Sequence, residues 1–264
     1  MKKIKKRNRS HASKTNSGIL SVFEKIIRSH ALLYFFIRKI IRYTNIFEED
    51  ANGVKILNLS KKVNIFDIGA SDGIATKFFL NNLNVNKIYC FEPNKDYTKI
   101  LKNLKRKEII IKSFAIGDKN KTISVYFPEY RILNKKIRLV TLCYYNKAEL
   151  EKQMLLDFKF RKNLFIVKDK LKIKKIETNN YKTDLIKIDV NGFEFNVVKG
   201  LTHIIKKNKP ALLIEINKDT HKIRKFLKKY SYNQYIYFDK DKLFKKSNSQ
   251  NFLNAYFLQD KHLN

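Results

Sequence analysis

The sequence predicts a doubly wound α/β domain built on a mostly parallel sheet. Three observations carry that expectation. A strand, a glycine turn and a helix start follow one another without a gap in Val63–Leu80 (VNIFDIGASDGIATKFFL). Short apolar runs recur at Lys87–Phe91, Ile109–Ile116, Asp184–Val190 and Pro210–Ile216. Segments with helical apolar spacing alternate with them, which is the pattern of strand–helix–strand units.

The first unit organises the rest. Val63, Ile65, Phe66 and Ile68 suit a buried parallel strand. The run ends in Asp67-Ile68-Gly69-Ala70-Ser71-Asp72-Gly73, and a helix pattern (Ile74, Phe78, Phe79) begins at once. Such a turn aims backbone N–H groups and a helix N-terminus at whatever lies beyond the carboxyl edge of the sheet. A dinucleotide turn requires G-x-G-x-x-G. Here Ala70 and Ser71 follow Gly69, so the middle glycine is missing. Asp67 precedes the turn and would repel a pyrophosphate. An acid there suits a ligand that carries a cation, such as the amino group of S-adenosylmethionine (SAM).

The second strand, Lys87–Phe91, ends at Glu92-Pro93, 25 residues after Asp67. A strand–helix–strand unit brings a carboxylate at about that distance to a ribose. Asn94–Leu104 is the next helix and Ile109–Ile116 the third strand. Thr122–Phe127 alternates like a half-buried strand. Residues 128–183 are irregular, with a helical pattern in Ala148–Phe160 and alternating apolar and lysine positions in Leu164–Ile176. Insertions of that length between core strands commonly serve the substrate side of an enzyme. Asp184–Val190 is the fourth core strand, Phe195–Lys207 a helix, Pro210–Ile216 the fifth strand and Thr220–Lys229 a helix. Tyr235–Phe238 and Phe252–Leu258 close the chain as strands.

Before the domain, residues 1–48 form a basic extension. Met1–Ser17 is polar and expected to be disordered, and Ile19–Tyr43 has amphipathic helical spacing. That helix either packs on the domain of residues 49–264 or lies on an anionic membrane face. Its longest apolar run is far shorter than the roughly 20 residues of a membrane span. The expected location is the cytoplasm, with a peripheral contact at the inner face of the membrane as the variant.

Composition limits the function classes. Hydrophobic residues make up 44% of the 264, enough for a real core and against global disorder. The formal net charge of +33 comes with an excess of Lys, Asn and Ile, so it supports a polyanionic partner such as nucleic acid only weakly. Cys90 and Cys143 form no paired motif, and the five histidines have no metal-ligand spacing. No metal is expected.

Four segments taken together resemble the FkbM-type SAM-dependent methyltransferases. They are Phe66–Gly73 (FDIGASDG), Phe91–Pro93 (FEP), Ala115–Asp118 (AIGD) and Leu185–Gly200 (LIKIDVNGFEFNVVKG). The resemblance runs from about Asn64 to Leu258. It implies a seven-stranded sheet with the last strand antiparallel, SAM as cofactor, and methyl transfer to an oxygen, commonly a sugar hydroxyl of a glycan or small molecule. Carried over, it puts Asp67, Gly69, Ala70, Ser71 and Gly73 around the methionine part and Glu92 on the ribose. It puts Ala115 and Asp118 near the adenine, and Asp189 facing the methyl donor. Two positions depart from the family pattern: Asn191 stands where Glu is common, and Ser71 where Asn is frequent.

A hydroxyl acceptor needs a positioned base. Asp189 is the candidate by position, with orientation of the cofactor's amino group as its other reading. Glu194 and Glu215 are further candidates, each with a capping or strand-ending alternative. The competing function is methylation of nucleic acid. Enzymes that methylate base amino groups often carry N/D-P-P-Y/F after the fourth strand, where this chain reads DVNGF. A non-enzymatic basic binding module leaves the combined acid and glycine positions unexplained.

Overall fold

The computed structural model of the chain describes residue 40 and residues 47–132, 135–139, 142–158, 162–176 and 180–263. The predicted N-terminal helix therefore lies outside the described residues, except for Ile40. No described helix is long and apolar enough to cross a membrane.

Parallel pairing starts at β1 (Val63–Ile68), which lies between β2 (Val85–Phe91) and a later strand. The third core strand is shorter than the sequence suggests. β3 (Ile109–Lys112) pairs with β2, and a tight turn in which Phe114 N donates to Lys112 O (2.9 Å) then takes the chain off the sheet. The predicted strand Ile109–Ile116 thus splits, and its end, β4 (Ala115–Ile116), joins a second sheet. That sheet also holds β5 (Lys121–Ile132), β6 (Lys135–Arg138) and β7 (Leu164–Lys174).

The main sheet resumes with β8 (Leu185–Ile188) and β9 (Ala211–Glu215), both parallel to β1 and almost wholly buried. β10 (Asn233–Phe238), β11 (Leu243–Lys246) and β12 (Asn254–Leu258) complete it in the order β11-β10-β12-β9-β8-β1-β2-β3. β12 runs antiparallel to β9, as expected. The sheet has eight strands rather than seven, because β11 folds back on β10 as an extra edge strand. Its largely exposed, lysine-rich sequence LFKK gives little periodic signal, which explains why sequence reading passes over it.

Helices cover both faces. α1 (Ile74–Asn82) and α2 (Lys95–Lys102) follow β1 and β2, and α3 (Lys147–Asp157) packs on the second sheet. The predicted helix Phe195–Lys207 is two helices, α4 (Glu194–Gly200) and α5 (Thr202–Asn208), broken at Leu201. Glycine weakens a helix at that point. It also lets Gly117 O come so near that a Cβ on residue 200 would sit 2.2 Å from it. α6 (Thr220–Lys228) completes the set.

Alternation along the strands divides the core in two. Phe66, Ile68, Ile186 and Ile188 pack toward α4, α5 and α6. Val63, Ile65 and Leu185 pack toward α1 and a 3-10 turn, Glu49–Ile56, that the sequence reading did not anticipate. Asp67 and Lys187 follow the second set by parity, which puts two charged side chains at the carboxyl end of an otherwise apolar face.

Candidate functional site

The turn after β1 is built from left-handed backbone: Gly69 at φ +77°, Ser71 at +50° and Gly73 at +81°. At Gly69 the requirement is also spatial. A Cβ there would lie 2.0 Å from Asp189 O, so only glycine lets the ends of β1 and β8 come together. The residues after the two strands thereby meet at one edge of the sheet.

Glu92, at the end of β2, braces that turn. Its Oε2 accepts from Ser71 N at 2.9 Å and its Oε1 from Asn94 N at 2.8 Å. Burial pushes its carboxyl up to about 7, against those two hydrogen bonds. Ser71 Oγ is buried and has no hydrogen-bond partner among the described residues, so a polar group of a ligand can satisfy it. Ala70 is buried beside it.

Asp67 is not an open carboxylate awaiting a ligand. It is fully buried, and its Oδ2 accepts from Thr76 Oγ1 at 2.6 Å. Its Oδ1 lies 3.5 Å from Lys187 Nζ. Where a direct pairing between Asp67 and a ligand's cation was expected, a lysine of the neighbouring strand sits against the carboxylate. Lys187 also donates to Gly69 O at 3.2 Å and lies 3.5 Å from Asp189 Oδ2. The surrounding carboxylates, Asp189 and Asp67 first, hold its ammonium well above the ordinary lysine range in spite of burial.

Asp189 directly follows β8 with its side chain 40% exposed, so a substrate can reach it. Its carboxylate lies near those of Glu194 and Glu215, all three within 4.8 Å of one another. The three behave differently. Glu194 is fully buried and accepts from Val190 N (2.9 Å), Gly192 N (3.0 Å) and the Asn217 side chain. It holds the turn after β8, and burial with the nearby Asp189 raises its pKa to about 7. The turn it holds passes through Asn191 at φ +51° and Gly192 at +98°. Asn tolerates that left-handed conformation better than Glu, which gives the departure at Asn191 a backbone reason. Glu215, half-buried, ends β9 opposite Asn254 of β12.

Sequence reasoning missed a further group. Glu48 Oε2 accepts from Asn254 Nδ2 at 2.6 Å, and Asp50 Oδ2 accepts from Asn254 N at 2.9 Å. Burial, Asp50 and Asp189 push Glu48 up to about 7. The edge is thus rich in carboxylates grouped around one lysine, a setting that favours a cationic ligand over an anionic one.

The remaining expected residues sit to one side. Ala115 is half-buried in β4. The Asp118 carboxylate is held by Lys199 Nζ at 2.8 Å, which keeps its pKa below the usual carboxylate range. His203 and His221 are exposed on α5 and α6. The insertion borders the site: the Tyr145 and Phe193 rings are 5.6 Å apart, and Glu149 of α3 pairs with Lys218.

Among solved structures, the chain is similar to methyltransferase FkbM from Methylobacillus flagellatus KT, with 14% identity and a TM-score of 0.47 over 75% of this chain. It spans 44% of that protein's length. The precorrin-6y C5,15-methyltransferase of Geobacter metallireducens GS-15 aligns at 14% identity and TM-score 0.38, covering 81% of this chain and 89% of the other. M. capricolum TrmK, solved with S-adenosyl-homocysteine, aligns at 13% and 0.37, covering 83% and 71%. No curated protein matches the sequence. The family model of the methyltransferase FkbM domain matches residues 67–233, well over half of the chain and the whole stretch from Asp67 through Asp189 to Glu215. The chain belongs to the FkbM methyltransferase family, whose methyl donor is SAM.

Proposed function

We propose that the protein transfers the methyl group of SAM to an oxygen, a sugar hydroxyl of a cell-surface glycan or related metabolite. The observation that carries this reading is Asp189: an exposed carboxylate beside the glycine turn, paired with a buried lysine and flanked by Glu194 and Glu215. SAM, when bound, supplies a methyl group on a sulfonium, already activated for displacement. The protein's task is then to hold the acceptor oxygen in line and take its proton. In this reading Asp189 accepts that proton, and Lys187, 3.5 Å away, keeps the carboxylate aimed. Glu194 fixes the turn on which Asp189 stands. Glu92 and the buried Ser71 hydroxyl are the groups that would receive the cofactor's ribose and methionine parts, with Gly69, Ala70 and Gly73 shaping the backbone around them. Asp118, already held by Lys199, and Ala115 would border the adenine. The surplus of carboxylates fits a cationic donor and a neutral acceptor hydroxyl.

Radiolabelled SAM incubated with the protein and, separately, a glycan fraction and an RNA fraction of one lysate tests the reading. Label is expected in the glycan fraction, stable to base as an ether. Label confined to RNA, or no SAM binding by calorimetry, overturns it.

A further inference from the structure

The second sheet carries a row of cations that the site does not use. Lys168, Lys170, Lys172 and Lys174 occupy alternate positions of β7 and are all exposed. Alternation puts them on one face, about 6.8 Å apart. Beside them, across the antiparallel ladder, stand Ser124 opposite Lys170 and Thr122 opposite Lys172. None of the four ammonium groups has a carboxylate partner among the described residues; Lys174 lies over the Phe114 ring at 5.0 Å. At the Lys174 end the row opens into a groove of about 440 Å³ that also takes in Lys175, Asn120 and Lys121, the last with its Nζ 3.8 Å from Asp118 Oδ1.

Charge on this face is the reverse of that at the site, and the two adjoin. Lys174 Nζ lies 5.0 Å from the centre of the Phe114 ring, that ring is 5.7 Å from the Phe91 ring, and Glu92 is the next residue. A substrate that spans both must offer repeated anions to the row and an uncharged hydroxyl to the carboxylates. We infer that the row and groove bind the phosphodiester groups of a phosphate-bearing glycan chain, whose sugar hydroxyl then reaches Asp189. A single-stranded nucleic acid fits less well, since such ligands stack their bases on exposed aromatic rings. The aromatics of the lysine face are half-buried: Tyr126, opposite Lys168, packs against the cluster of Leu139, Tyr144 and Leu150, and Phe114 lies under Lys174. Phe165 is exposed, but its parity puts it on the opposite face, under the Arg131 guanidinium at 4.5 Å. The inference rests on the glycan reading only for which hydroxyl is modified; binding to the row requires no turnover.

The test is fluorescence anisotropy with a labelled poly(glycerol phosphate) oligomer, and in parallel a labelled oligouridylate of equal charge, from 50 to about 200 mM salt. The triple variant K170Q/K172Q/K174Q is compared with K225Q/K228Q/K229Q, which removes three exposed lysines of equal charge on and just after α6. The row variant is expected to lose at least about tenfold in affinity for the glycerol phosphate chain, and its salt slope is expected to flatten by about two. The α6 variant is expected to stay within about twofold of the wild type. Equal losses in both variants would reduce the row to part of the general surface charge and overturn the inference. So would tighter, row-dependent binding of the uridylate, or no binding of either probe. Calorimetric SAM binding by the row variant, expected to be unchanged, separates this outcome from failure of the methyl-transfer reading.

Discussion

Lys187 Nζ lies 3.5 Å from Asp67 Oδ1 and 3.5 Å from Asp189 Oδ2, joining a sealed carboxylate to an exposed one. The lysine is nearly buried and Asp67 wholly so, so neither charge has water to fall back on. Removing one partner of a buried pair strands the other and costs about 3–5 kcal/mol. Lys187→Met is therefore expected to lower the unfolding free energy by about that amount in a denaturant titration. Asp67→Asn in the same chain should recover a large part of the loss. If the double variant is as unstable as the sum of the singles, the pair is not coupled.

Gly69→Ala is a sharper probe of the sheet edge. The added methyl meets Asp189 O at 2.0 Å in a left-handed backbone, and neither strand end can yield without breaking its ladder. The variant should melt well below the wild type and show weakened SAM binding by calorimetry, since Gly69 O is also a partner of Lys187. A wild-type melting temperature would mean that the close approach is dispensable. Gly192→Ala is the control, because its Cβ would meet nothing nearer than Tyr145 at 3.5 Å. It is expected to lose much less, owing to its positive φ alone.

The core strands were legible because each is a short apolar run bounded by an acid, a glycine or a proline. The carboxyl edge of the sheet was legible where strands end in the chain's own punctuation, as with Asp67, Gly69, Glu92 and Asp189. What sequence reading missed depends on neighbours distant in the chain. Lys187 stands out in DLIKIDV as a lone cation in a buried strand, but only the pairing of β8 with β1 puts it opposite Asp67. Thr76 is a polar residue on the apolar side of α1, a signal that could have been used. Glu48 and Asp50 had no such signal, because their partner Asn254 lies over 200 residues away. The splits at Ser113 and Leu201 arise from tertiary contacts that periodicity does not record.

His262 gives a pH prediction whose sign is fixed by its partners. Its Nδ1 accepts from Gln259 N at 3.0 Å, so the proton sits on Nε2, which donates to Lys209 O at 3.0 Å. Burial lowers its pKa to about 4. A depressed pKa contributes stability that is present above the unfolded value near 6.5 and lost as pH falls through about 4. The raised carboxyls of Glu48, Glu92 and Glu194 act in the other sense, losing stability as pH rises from about 4.5 to about 7. The difference between wild type and His262→Gln cancels the carboxyl slopes. It should shrink by about 3 kcal/mol between pH 7 and pH 4. A pH-independent difference would mean that the imidazole titrates normally.

Asp189 is where the reading of the site is most exposed to test. Asn has nearly the shape of Asp but cannot take a proton, so Asp189→Asn isolates the charge. If the carboxylate is the base, turnover with the labelled glycan fraction should fall by about 10²–10⁴ while SAM affinity stays within a few-fold. Lys187→Arg supplies the matching test of orientation: it keeps the cation but replaces a compact ammonium with a planar fork in a sealed space. That variant should retain part of the turnover, more than Asp189→Asn leaves. The outcome that assigns Asp189 to the cofactor is also specific. SAM affinity would drop with the substitution while the rate at saturating SAM stayed at the wild-type value, and the base would then have to be sought at Glu215, the half-buried carboxylate ending β9.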